Sequence, residues 1–282
     1  MSQAIEFTHH QATIDHVGIV NKKLAISTEI FEALGFKSGK ASKLDVGLNE
    51  LNICPINIHY MFDNSYIEVI ETTGKDYLLD LLNSDCALHM SLLVSKDIAA
   101  THAKFMASDI EVSDPITDSS RPADHGELKG TAKFQWFRFM QPVLDNNGMV
   151  AVMQHHTPEL IFQPNRYQHG NGVYAMEAIY ADITAEQGEK LTELSSYMDG
   201  DFTTENSIQS LRVVDCDQVN NALDIQLDKT RSPYVGMTFL TQDISLTKSF
   251  IERSGYSFRE IDGSLFVDTS KEMNLFLEFK QA

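Results

Sequence analysis

Glu68 stands in the run Asn64–Glu71, on one face of a predicted strand with Tyr66 and Ile70. A carboxylate between bulky strand residues is unusual unless it meets a cation. Histidines supply the complementary chemistry. The runs His16-x-Gly18-x-Val20 and His89-x-Ser91-x-Leu93 share a face of His, small and apolar residues, so both imidazoles can point into one cleft. Yet His16 lies eight residues before Leu24, whereas His89 lies nine before Ile98. A one-residue difference flips the face unless the connection Ser95-Lys96-Asp97 absorbs it. In a later strand Gln154 and His156 share a face and His155 takes the other. Arg138, amid Trp136, Phe137 and Phe139, suits an anionic substrate group. A cleft carboxylate or imidazole moves protons; the plainer alternative for a strand histidine is a hydrogen-bonded core residue. His9, His10, His59, His102, His125 and His169 are read as surface or structural. The polar run Asp114–Gly130, which holds Arg121, reads as a mobile, solvated loop.

Composition limits the partners. The 282 residues carry 22 Lys+Arg against 40 Asp+Glu, a formal net charge of −18. Binding nucleic acid through phosphates needs clustered cations, and so does docking on an anionic membrane, so neither is expected. No stretch approaches the ~18 apolar residues of a bilayer-spanning helix, and the amino terminus lacks a signal-peptide pattern. Three cysteines, Cys54, Cys86 and Cys216, are widely spaced without a CxxC pair. They suit reduced thiols, so a cytoplasmic protein with a small-molecule partner is expected, with a homodimer possible.

These residues sit on a recurring unit. From Leu24, Ile98 and Ile244 the residue seven positions on is Phe31, Phe105 or Ile251, and eleven positions on it is Gly35, Asp109 or Gly255. A short strand precedes each helix, glycine signals a C-cap in two of the three, and strand-like runs follow. A fourth, less regular copy covers Tyr174–Ile183 and Ala185–Tyr197. The expected fold class is α+β, with about four βαβββ modules of roughly 60–90 residues, paired so that their sheets close around clefts. The segment Thr157–Gly172 divides the chain into 1–165, with modules one and two, and 166–282, with modules three and four. Only Glu177 and Glu278 stand near comparable positions in the second half, which reads as degenerate.

Three stretches, Ile14–Gly39, Asn64–Glu71 and Met149–Ile183, resemble the vicinal oxygen chelate superfamily of glyoxalase I, extradiol dioxygenases and bleomycin-resistance proteins. The likeness is nearest to large glyoxalase-like proteins with a Gln-His…Thr-Pro-Glu-Leu segment and a later His-x-Asn-Gly. The resemblance implies two half-barrel domains and a divalent metal in the cleft of modules one and two. Ligands would come from the first and last strands of each module: His16, Glu68, His89 and one of Gln154, His155 or His156, with His155 favoured. Such a set suits Zn²⁺, Ni²⁺, Fe²⁺, Mn²⁺ or Co²⁺. The implied function is a metal-dependent lyase, isomerase or dioxygenase acting on vicinal oxygens, with Glu68 moving a proton if it is not a ligand. Extradiol dioxygenases place the metal in the carboxyl-terminal half, and this sequence departs from that pattern. The alternative is a non-catalytic small-molecule binding protein of the bleomycin-resistance type.

Overall fold

The computed structural model describes residues 5–44, 55–72, 82, 84–123, 126–140, 143–144, 148–198 and 207–282. Cys54, His125 and the start of the Ile53–Phe62 run lie outside them. The first unit is β1 (Thr8–Asn21), α1 (Ala25–Ala33), β2 (Ser42–Lys43), β3 (Ile56–Met61) and β4 (Tyr66–Glu71). The second is β5 (Cys86–Val94), α2 (Ile98–Met106), β6 (Ile116–Ala123), β7 (Gly130–Arg138) and β8 (Met149–His155). A short helix, α3 (Pro158–Ile161), and a 3₁₀ turn, Pro164–Arg166, lead to β9 (Val173–Ala181), α4 (Ala185–Ser196), β10 (Ile208–Val213) and α5 (Cys216–Leu223). The chain ends with β11 (Tyr234–Thr241), α6 (Ile244–Ser254), β12 (Phe258–Ile261), β13 (Ser264–Thr269), α7 (Ser270–Met273) and β14 (Leu275–Gln281). The architecture is α+β with one large curled sheet. Three units follow their helix with three strands; among the described residues the third has only β10 before another helix, so the repeat is unequal.

Helix ends follow local chemistry. Asp97 and Asp243 accept backbone N–H bonds as N-caps, and Thr184 and Gln187 form a reciprocal capping box. Gly35 and Gly255 adopt φ of +88° and +80° just past their helices, where only glycine is unstrained. Among the described residues no helix is long and apolar enough to cross a membrane.

The sheet runs β12-β13-β14-β11-β9-β10-β1-β5-β8-β7-β6, with β4, β3 and β2 branching from β1. β1 is long enough to serve two partners along one edge. Its start pairs with β10 (Thr8 opposite Val213), and its end runs parallel to β4 (His16 opposite Tyr66, Gly18 opposite Glu68). The pairing of β1 with β10 joins the first and third units in space. In the first half the strands curl until β2 lies beside β6, enclosing a cavity. Its inner face carries Val20, Ile70, Met90, Leu92, Trp136 and Met153, and the opposite face packs in the main core with helix residues such as Phe31 and Phe105.

The run 116–123 is a strand, not the mobile loop its composition suggests. Ser119, Arg121 and Ala123 alternate as its buried residues, and β6 pairs with β7 from Ile116–Trp136 to Ala123–Gly130. The period-two signal is there, but small and charged residues carry it rather than apolar ones.

Candidate functional site

A bulge in β1 builds the site. Ile14 faces Leu93 and His16 faces Leu92 on β5, so Asp15 is the extra residue. The bulge lets the consecutive residues Asp15 and His16 join one network, which ordinary alternation forbids. Asp15 Oδ2 lies 2.6 Å from His16 Nδ1 and 3.0 Å from His155 Nε2. His16 Nε2 faces Glu68 Oε2 at 3.6 Å, and His59 Nε2 faces Glu68 Oε1 at 3.6 Å. Asn57 Nδ2 donates to the same Oε1 at 2.7 Å. Register explains each neighbour. Glu68 stands opposite His59 on β3, while Tyr66 stands opposite His16 and stacks on its ring at 4.1 Å. The cavity, about 560 Å³ with the open solvent at its mouth, is lined by His16, His59, Tyr66, Glu68 and His155, by Arg121 and by an apolar wall that includes Met90, Leu92, Trp136, Met149 and Met153.

Electrostatics divide the two imidazoles. Burial alone pushes Asp15 and Glu68 upward, but their histidine partners reverse this and hold both carboxyls well below the usual carboxylate range. His16 is opposed by burial yet ends above its ordinary value, because Asp15 and Glu68 both favour its cation. His59 falls to about 3, driven by burial and then by the Arg121 charge, so it is neutral at pH 7. Burial also pushes the Tyr66 phenol well above its ordinary value.

Among the residues the sequence pointed to, His16, Glu68 and His155 come to this cavity and His89 and Arg138 do not. A second bulge accounts for His89. Gly18 faces Met90 and Ile19 faces Leu88, which leaves His89 as the extra residue of β5, buried away from the cavity lining. The one-residue mismatch is thus absorbed in the strand itself, and Met90 and Leu92 take the cavity face. Gly18 is required at this crossing, since a Cβ there would lie 2.9 Å from the Met90 Cβ. Arg138 is exposed at the end of β7, outside the cavity, and the position inward of it is filled by aromatic core. Gln154 turns away, accepting from Ile98 N and donating to Lys96 O.

The sequence reading passed over Asp15 and Asn57, treated Tyr66 only as a bulky neighbour of Glu68, read His59 as surface or structural and put Arg121 in a solvated loop, whereas His59, Tyr66 and Arg121 are buried and line the cavity. Asn57-x-His59 carried a signal, as two polar residues on the face of β3 that meets Glu68. Asp15 could not be found by alternation, because the bulge breaks it. In the second half the comparable place is filled. Glu278 stands opposite Thr238 as Glu68 stands opposite Gly18. Arg212 donates to Glu278 Oε2 and Thr238 Oγ1, each at 3.0 Å, and also to Glu177. The Phe276 ring covers Gly236, where a Cβ would lie 2.5 Å from it.

No family model matches the chain, and no curated protein matches it. Solved structures do. A hypothetical protein from Staphylococcus aureus superposes with a TM-score of 0.58 at 12% identity, covering 95% of this chain and 99% of that one. A variant of 4-hydroxymandelate synthase from Streptomyces coelicolor gives 0.58 at 9% identity, covering 96% and 93%. The Mn(II)-bound glyoxalase from Novosphingobium aromaticivorans gives 0.51 at 10% identity, covering 97% and 83%. The fold is the vicinal oxygen chelate fold. At these identities the likeness concerns architecture alone.

One structure named above holds Mn(II), and a divalent ion in this cavity would need several donors converging on one point. Among the described residues no three His, Cys, Asp or Glu side chains converge as a metal-holding group. The reasons are visible: His16 and His59 address different oxygens of Glu68, and β5 and β8 turn Met90, Leu92, Met149 and Met153 to the cavity. The guanidinium of Arg121 also acts on Glu68 and His59, where a second cation would be repelled. The donor set as it stands does not fit a divalent centre.

Proposed function

We propose that the first-half cavity binds a small molecule bearing vicinal oxygens and catalyses proton transfer on it, as an isomerase or lyase. The observation that carries this is Glu68, buried in the cavity wall between two imidazoles, His16 with its cation favoured and His59 neutral. His16, whose cation Asp15 and Glu68 favour, donates to a substrate oxygen as charge develops there. Glu68 takes the proton from the neighbouring carbon. Both imidazole nitrogens stand 3.6 Å from its oxygens, beyond hydrogen-bond length, so a substrate oxygen can engage them and leave the carboxylate a stronger base. The glyoxalase among the structural neighbours is in keeping with this class.

A non-catalytic binding protein is the second reading, favoured by the methionine-rich wall on β5 and β8. Deuterium exchange separates the two. With 2-hydroxyacetophenone in D₂O, NMR should show loss of the C–H signal next to the carbonyl, unaffected by EDTA. Glu68→Gln should slow it at least ~100-fold. Bound compound without exchange would establish the binding reading, and exchange that requires added Mn²⁺ or Zn²⁺ would restore a metal centre.

A further inference from the structure

Arg121 is 3% exposed and lines the cavity, yet among the described residues neither Nη1 nor Nη2 has a hydrogen-bond partner. A guanidinium is always charged and carries five donors, so burying it without an acceptor is costly. None of the acceptors nearby bonds it. Glu68 Oε1 accepts from Asn57 and faces His59, while its Oε2 faces His16. Asp15 is shared between His16 and His155. Tyr66 points its hydroxyl at Met153 Sδ, 3.8 Å away. What the guanidinium presents to the cavity is therefore a planar pair of free N–H groups, the geometry that grips a carboxylate in two parallel bonds.

The rest of the wall decides the remainder of the ligand. Leu44, Ile70, Met90, Leu92, Trp136 and Met149 make the remainder of the wall apolar, so the ligand's body away from the polar group is apolar. We propose that this cavity recognises a carboxylate with a compact apolar body, its carboxylate gripped by Arg121 and its body laid against the methionines and Trp136. The inference rests on the reading of this cavity as a small-molecule site and adds the chemical class.

Calorimetric titration of the full chain with octanoate and with octanamide, its neutral counterpart, tests this. Octanoate should bind at least ~10-fold more tightly than octanamide, and Arg121→Met should remove that preference while leaving octanamide binding within about twofold. Arg121→Met deletes an unpaired buried charge, so its melting temperature should not fall. If it fails to fold, the octanoate-to-octanamide ratio of the unaltered protein decides alone. Equal binding of the two, or binding of neither, would overturn the carboxylate assignment, whereas the small-molecule reading falls only if 2-hydroxyacetophenone neither binds nor exchanges.

Discussion

Asp15 governs the site without facing the substrate position directly. It fixes His16 through Nδ1 and leaves Nε2 aimed at Glu68, the division of labour that sets tautomer and charge in catalytic imidazoles. Asp15→Asn keeps the shape but removes the charge that favours the His16 cation. The expected outcome is a fall in the His16 pKa, read by NMR titration of the ring protons, and a stability loss of about 1–3 kcal/mol in urea unfolding. An unchanged His16 titration would remove Asp15 from this role. At this scale the sequence was half legible. Glu68 announced itself as a carboxylate where a strand wants an apolar residue, and His16 by its pattern with Gly18. Asp15 and His89 were illegible because each occupies a bulge, and a bulge moves a side chain between faces without altering composition. Arg121 was hidden by the polarity of its own strand.

Elements hold the site by joining the halves. His169 accepts from Lys37 N at 2.9 Å through Nδ1 and, through Nε2, donates to Met61 O at 2.9 Å, while its ring packs against Phe36 and Phe62. Asn171 donates to Leu34 O at 2.8 Å and accepts from Val173 N. The His-x-Asn-Gly segment is therefore a staple from the linker onto the first unit, not part of the cavity. His169→Ala should cost about 2–4 kcal/mol, since it leaves buried backbone groups unpaired and opens a void. Thr184→Ala, at the exposed N-cap of α4, should cost only about 1 kcal/mol. Comparable losses for the two in urea unfolding would show that the staple is dispensable. The periodic helices and their glycine stops were plain in the sequence, because local caps and spacing determine them. The pairing of β1 with β10 was not, since nothing in either strand specifies an edge partner some 200 residues away.

For the molecule as a whole, acid is the vulnerable side. His59 and His169 are buried and neutral, with values near 3 and 4 against 6.5 when unfolded. For a histidine depressed in this way the unfolded chain binds the proton first, so stability is complete above pH 6.5 and is lost as pH falls toward the folded value. Two such groups should remove about 3–4 kcal/mol between pH 7 and pH 5. His16 works in the opposite sense: its contribution is complete below 6.5 and is lost only as pH rises through its raised folded value, so it does not offset the acid loss. Urea midpoints across this range should fall with pH, and His169→Ala should flatten the slope. A flat profile in the unaltered chain would contradict the buried neutral state of both residues.

The filled cleft of the second half has a consequence for how the chain reports its ligand. Arg212, Glu278, Tyr180 and Thr238 satisfy one another there, with Arg212 only 9% exposed, so the halves share an architecture but not a vacancy. Of the two comparable clefts only one can take a guest. Among the described residues the comparable cleft of the second half is filled, so saturation of the first-half cavity should follow a simple hyperbola at one equivalent per polypeptide.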